Sequence, residues 1–169
     1  VRDERDEAKP EDKEVRFFSD SFIGILDLYA AELGAPVVEP ILMEKTVKTA
    51  QGEVYVRVAA RVFEGEKTKV VTFANNIYTP GGGTHETGFK SALTKIMNDY
   101  CRKSGLLKEK DASLSGEDFR EGLTVVLALK MHSVQFEGQT KTRLGNTEAK
   151  PAVEFVMNEF LTPFLEPLH

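Results

Sequence analysis

A chain of 169 residues, 41% hydrophobic and 29% charged, has ordinary globular composition and length enough to bury one substantial core, which excludes a disordered polypeptide. Its net charge of −5 and pI near 5.3 argue against a stand-alone nucleic-acid binder, which carries a basic excess, and leave room only for a local basic patch. Cys101 is the single cysteine, so an internal disulfide is excluded and a reducing, cytoplasmic setting is expected. The longest apolar runs, such as 123–129, are far too short to span a bilayer. The charged opening Val1-Arg2-Asp3-Glu4 does not have the form of a signal peptide. Val1 in place of an initiator methionine suggests a piece of a longer protein.

In chain order, residues 1–13 are expected to form an edge strand and a turn around Pro10, followed by a short strand over 14–18. Ser19 and Asp20 can cap a helix in which Phe22, Ile25, Leu26, Tyr29, Ala30 and Leu33 share one face, with Gly34 and Pro36 ending it. Three β-type segments follow, over 41–48, 54–62 and 69–77, with Ala50-Gln51-Gly52 and Gly65 at the turns. In the middle segment Val54, Val56, Val58 and Ala60 alternate with Tyr55, Arg57, Ala59 and Arg61. That pattern predicts one apolar and one wet face, as in an antiparallel sheet covered on one side.

Residues 79–84, Thr-Pro-Gly-Gly-Gly-Thr, read as a flexible break before a helix over 85–103. Its apolar stripe is Phe89, Ala92, Leu93, Ile96, Met97 and Tyr100, and Gly105 is its stop. A charged linker at 108–111 leads to a short helix capped by Ser115 and ended by Gly122, then to a buried strand over 123–131. A polar loop follows, and Thr147 is expected to cap a last helix with Val153, Val156, Met157, Phe160, Leu161 and Phe164 inward. Strands on one side and helices on the other predict an α+β two-layer sandwich, with a mostly antiparallel sheet and helices on one face.

The glycine-rich run Pro80-Gly81-Gly82-Gly83-Thr84-His85 could expose amides to a phosphate at a helix N-terminus. It lacks the Gly-Lys-Ser/Thr ending of a phosphate loop, so a flexible hinge is the leading reading. His85, His132, His169 and Cys101 show no metal-ligand spacing, and Glu117 with Asp118 has no third ligand, so no metal site is predicted. His85 as a catalytic base would lack an adjacent nucleophile, and helix-start polarity accounts for it. Lys90, Lys95 and Lys103 lie off the apolar stripe, either as a solvated face or as a basic track for nucleic-acid phosphates. The loop tip Gln139-Thr140-Lys141 offers a carboxamide and an ammonium to one anion, for which phosphate is the natural guest. By itself that tripeptide is more ordinarily a solvated loop.

Taken together, four motifs resemble one known family. They are Asn75-Asn76-Ile77; Gly82-Gly83-Thr84-His85-Glu86-Thr87-Gly88-Phe89-Lys90; residues 116–123, Gly-Glu-Asp-Phe-Arg-Glu-Gly-Leu; and residues 136–146, Phe-Glu-Gly-Gln-Thr-Lys-Thr-Arg-Leu-Gly-Asn. Their order and spacing across about residues 1–163 are similar to the second, transducer domain of bacterial type IIA topoisomerase B subunits, those of gyrase and topoisomerase IV. The resemblance implies a ribosomal-protein-S-five domain-2-like sandwich forming a single domain over 1–169. An ATPase domain would lie upstream and a metal-binding DNA-cleavage domain downstream, both outside this chain. It implies that Lys141 meets the γ-phosphate of ATP held, with magnesium, in the ATPase domain, and that Gln139 assists. It also implies coupling of ATP hydrolysis to DNA strand passage, with double-stranded DNA, the topoisomerase A subunit and a second B subunit as partners. Lys90 becomes a candidate for the DNA-facing surface. Residues 35–53, the acidic opening, and Pro80-Gly81, where an acidic residue is usual before the glycine pair, depart from the pattern and leave gyrase against topoisomerase IV open. The rivals are an RNA-binding module, disfavoured by the net charge, and the middle domain of another ATPase such as a mismatch-repair or chaperone relative.

Overall fold

The computed structural model describes residues 40–138 and 142–165. The strand, turn and helix expected within 1–36 lie outside the described residues. The described residues form seven strands and three helices: β1 (Ile41–Thr49), β2 (Gly52–Val62), β3 (Lys69–Ala74), β4 (Ile77–Tyr78), α1 (Thr84–Lys103), α2 (Gly116–Arg120), β5 (Leu123–Met131), β6 (Phe136–Glu137), β7 (Arg143–Leu144) and α3 (Ala149–Leu165). The main sheet has the order β1-β2-β5-β3-β4, and β6 and β7 form a separate ribbon. Pairing is antiparallel except between β3 and β5, so the fold is α+β with a mainly antiparallel sheet.

Register explains the core. Val54, Val56, Val58 and Ala60 of β2 stand opposite Met131, Leu129, Leu127 and Val125 of β5, and this face carries α1 and α3. Phe89, Ala92, Leu93 and Ile96 of α1 and Ala152, Val153, Val156 and Met157 of α3 complete the cluster. Each fully buried large side chain here, such as Phe89, Leu127 or Leu129, contributes about 2 kcal/mol of transfer free energy. The two helices cross where Gly88 lies against the backbone of Lys150, because a Cβ at that position would come within 2.6 Å of the Lys150 carbonyl.

Several expectations need correction. The opposite face of the sheet is not wet at its centre: Ala59, Val71, Phe73, Val126 and Ala128 are buried there too. The short alanines hid this, since alternation with Arg57 and Arg61 reads as polar. The expected strand over 69–77 is a hairpin, because Asn75 and Asn76 adopt φ 49° and 66° and turn β3 back onto β4. Asn75 then extends the sheet with its side chain: Nδ2 donates to the Met131 carbonyl at 2.9 Å, and Oδ1 accepts from the Met131 amide at 2.8 Å. Thr147 does not cap α3; the Asn146 carbonyl accepts from the Ala149 amide at 3.4 Å instead. Phe160 and Phe164 lie on the inner stripe of α3 by spacing, yet they are 38% and 48% exposed. Ser115 does cap α2 as expected, in a full capping box with Asp118.

Candidate functional site

The candidate loop begins where β5 ends. Its ascending leg pairs with its descending leg through β6 and β7, with Phe136 opposite Leu144 and Glu137 opposite Arg143. Residues 138–142 connect them, with Gly138 at φ 74°. Gln139, Thr140 and Lys141 lie outside the described residues, so the geometry in view is that of the base on which they stand.

That base is tied at four residues. Leu144 is buried in the main core, which fixes the descending leg by apolar packing. Arg143 donates from Nε to Glu137 Oε2 at 2.9 Å, bracing the two legs, and from Nη1 to the Gly81 carbonyl at 2.9 Å. Gly145 N donates to the Gln135 carbonyl at 2.7 Å. Below it sits Asn146, a buried residue whose side chain is fully engaged. Its Oδ1 accepts from Gln135 N at 2.6 Å, and its Nδ2 donates to the Ser133 carbonyl at 2.8 Å and to Glu148 Oε1 at 2.6 Å. Its carbonyl accepts from Thr84 Oγ1 at 2.6 Å.

The glycine-rich run is the other half of this base, and its role differs from the flexible hinge expected. Gly81 N donates to the Thr142 carbonyl at 2.8 Å, and Leu144 N donates to the Gly82 carbonyl at 3.0 Å. Gly83 and Leu144 form a parallel bridge. A Cβ on Gly83 would meet Leu144 N at 2.6 Å, and one on Gly81 would meet the Thr142 carbonyl at 2.9 Å. Gly82 and Gly83 also hold φ of 74° and 141°, a region open mainly to glycine. The three glycines therefore let the descending leg lie directly on the backbone that starts α1. Gly82 N is engaged as well, donating to the Thr79 carbonyl at 2.9 Å. The Gly81 and Gly82 amides are therefore bound to protein carbonyls and are not presented to a phosphate.

His85 follows immediately and is buried without solvent contact. Its Nε2 lies 3.0 Å from Thr79 Oγ1, while Thr79 Oγ1 donates to the Thr72 carbonyl at 2.8 Å and Thr72 Oγ1 donates to the Thr79 carbonyl at 2.9 Å. Thr79 Oγ1 also lies 2.7 Å from Thr72 Oγ1, so the ring nitrogen joins a compact threonine network. Nδ1 has no hydrogen bond of good geometry. Burial, then the positive charge of Arg143, lowers the His85 pKa to about 4, with the Gly83 backbone pulling weakly the other way. A ring held neutral in a threonine network, away from solvent, positions α1 rather than exchanging protons with a substrate.

The remaining candidates are not brought to the loop. Lys90 sits on α1 past Thr84, so about 9 Å further along the helix axis, with its ammonium 3.8 Å from Glu86 Oε2. Lys95 pairs similarly with Asp99 at 3.5 Å. These exposed pairs with Glu86 and Asp99 are those of a solvated helix face, and the acidic partners interrupt the alternative basic track. His132 is exposed at the end of β5, and His169 lies outside the described residues. No group of three or more His, Cys, Asp or Glu among the described residues could hold a metal ion. None of the described helices is long and apolar enough to cross a membrane. Sequence pattern missed Asn146 and the pairing role of Gly81, Gly82 and Gly83. The signal for the second was present in three consecutive glycines, which mark close approach of another backbone as well as flexibility.

Comparison with known proteins decides the family, because residues 24–168 match the family model for DNA gyrase B. The chain belongs to the DNA gyrase B family. It is 48% identical over 128 residues to the DNA gyrase B protein of Clostridium acetobutylicum, covering 76% of this chain and 20% of that one. It is 52% identical over 112 residues to the B subunit of DNA topoisomerase 4 from Streptococcus pneumoniae, covering 65% of this chain and 17% of that one. Among solved structures it resembles the 43K ATPase domain of Thermus thermophilus gyrase B, crystallised with an aminocoumarin. That match has a TM-score of 0.72 and 39% identity, over 86% of this chain and 37% of that one. The chain thus spans about a fifth of the length of these curated relatives.

Proposed function

We propose that this chain is the transducer domain of a gyrase-type B subunit, and that Lys141 senses the γ-phosphate of ATP bound in a neighbouring ATPase domain, with Gln139 assisting. The observation that carries this reading is the anchoring of both legs of the loop. Residues on either side of Gln139-Thr140-Lys141 are fixed to the start of α1 and to the core through Arg143, Leu144 and Asn146. A loop used only as a connection does not need such a base. A loop that must hold a cation against one phosphate oxygen does, because electrostatic stabilisation depends on preorganised geometry.

In this reading the nucleotide is a substrate held, with magnesium, mostly by the ATPase domain. The engaged amides of Gly81 and Gly82 fit that division, since they leave the phosphate contact to the loop side chains. The lysine ammonium distinguishes the triphosphate from the diphosphate by charge and reach. Loss of the terminal phosphate removes its partner, and the loop base, continuous with α1, carries that change into the rest of the domain. The parent protein would be a type IIA topoisomerase that uses ATP hydrolysis to pass one DNA duplex through another. It would act with an A subunit and a second B subunit, in the cytoplasm. Lys90, paired with Glu86, is a secondary candidate for contact with captured DNA.

The test is DNA-stimulated ATP turnover by the full-length B subunit reconstituted with its A subunit. Lys141→Ala should lower kcat by roughly a hundredfold, the order expected for removing one charged stabilising group. Turnover within about twofold of the unaltered protein would overturn the assignment.

A further inference from the structure

We infer that the face of the main sheet turned away from α1 and α3 is a docking surface, and that its occupant is the chain's own segment 20–33. Burial without a described cover carries this. Register sets Ala59, Val126 and Val71 in one row across β2, β5 and β3, and Arg57, Ala128 and Phe73 in the next. Side chains alternate along a strand, and the neighbours Val58, Leu127 and Leu129 belong to the core beneath α1 and α3. The two rows therefore point the other way. Ala59, Val71, Phe73, Val126 and Ala128 lie outside that core cluster, yet none is more than 2% exposed. Methyl groups such as those of Ala59 and Ala128 are too short to screen one another from water. Among the described residues no helix lies over them, since α2 packs on α1.

Segment 20–33 fits this face by pattern, reach and charge. Phe22, Ile25, Leu26, Tyr29, Ala30 and Leu33 recur at helical spacing and need an apolar surface to bury. At 1.5 Å per residue their stripe is about 17 Å long, and the rows from β2 to β3 are about 10 Å wide, the width of one helix. Residues 34–40 lead into β1, the edge strand beside β2. Extended, they span about 20 Å, against about 10 Å from β1 to β5. Residues 19–36 carry Asp20, Asp27 and Glu32 and no Lys or Arg, whereas the face carries Arg57, with Arg61 and Lys69 flanking Thr124 in the register. Opposite charges around an apolar contact favour this occupant over a basic one. On the transducer reading, an upstream ATPase domain would act on the sheet through this layer; the docking itself does not depend on that reading.

The experiment introduces Ala128→Cys into the 169-residue chain and follows maleimide labelling by peptide mass. Native Cys101, buried in α1, is the internal reference for the helix side. Both thiols should label slowly. Adding Ile25→Asp and Leu26→Asp should raise the rate at position 128 by about tenfold or more, as local uncovering does, and leave Cys101 within about twofold. Rapid labelling at position 128 without the aspartates, or protection there that survives them, would overturn the docking. Where the aspartates unfold the whole chain and speed both thiols alike, a measurement on the unaltered chain decides. Carbodiimide coupling should join the Lys69 ammonium to the carboxylate of Asp20, Asp27 or Glu32. Coupling of Lys69 only to carboxylates outside that segment would overturn the proposal.

Discussion

Acid should unfold this domain partly through one buried imidazole, and replacing His85 with glutamine should remove that sensitivity. In the folded chain His85 is buried, hydrogen-bonds through Nε2 with Thr79 Oγ1 at 3.0 Å, and feels the Arg143 guanidinium. Its pKa falls from 6.5 to about 4. Between those two values the unfolded chain binds a proton that the native chain refuses, so this contribution to stability falls as pH falls from 6.5 towards 4 and is constant above 6.5. At about 1.4 kcal/mol per pH unit, the shift amounts to about 3 kcal/mol across the window. Urea unfolding of the 169-residue chain at several pH values, from about neutral down to about 4.5, would measure it across the window in which the two states differ in bound protons. The unaltered protein should lose more stability across that range than His85→Gln, whatever offset the substitution introduces at neutral pH. Two parallel profiles would refute the reasoning, because they would mean that the ring is protonated equally in both states.

Two further substitutions probe the packing that supports the loop. Gly88→Ala should lower the melting temperature, because its Cβ would press within 2.6 Å of the Lys150 carbonyl and force α1 from α3. The overpacking cost of about 1–3 kcal/mol exceeds the helix-propensity gain of about 1 kcal/mol; a raised melting temperature would show that the crossing has slack. Asn75→Ala removes both side-chain bonds to Met131 and leaves alanine at φ 49°, for a loss of about 2 kcal/mol. Hydrogen exchange at the Met131 amide should accelerate in that variant, and unchanged exchange would mean that the end of β5 is held by other contacts.

Sequence pattern revealed much of this architecture because periodicity and burial agree where one face of an element is apolar and long. The alternation of Val54, Val56, Val58 and Ala60 and the stripe from Phe89 to Ile96 are such cases, and both lie in the core. Ser115 was legible because a capping box is local chemistry. The failures share a different cause, which is dependence on partners distant in sequence. Ala59 and Ala128 look neutral in isolation, yet both are buried on the face of the sheet that they share with Val71, Phe73 and Val126. Phe160 and Phe164 obey the helical stripe, but α3 presents them beyond the tightly packed part of the core. Asn75 and Asn76 read as the interior of a strand, although paired asparagines tolerate the left-handed backbone of a hairpin turn.

The site was legible in its parts and illegible in its assembly. Gly81, Gly82 and Gly83 announced unusual backbone, but nothing local connects residues 81–84 with 142–146. That contact spans 62 positions and exists only once β5 has threaded between β2 and β3. Asn146 carries no local signal of its importance, since a lone asparagine at a loop end is commonplace. Its weight comes from hydrogen bonds made to elements that the fold brings together.

The central claim is that Lys141 reads the terminal phosphate. Its most direct test compares the affinities of the full-length B subunit for a non-hydrolysable ATP analogue and for ADP, with and without Lys141→Ala. A charged hydrogen bond of about 1.5–3 kcal/mol corresponds to roughly tenfold to a hundredfold. The variant should lose affinity for the analogue by that factor while its ADP affinity stays the same. Equal loss for both nucleotides, or none for either, would contradict the claim.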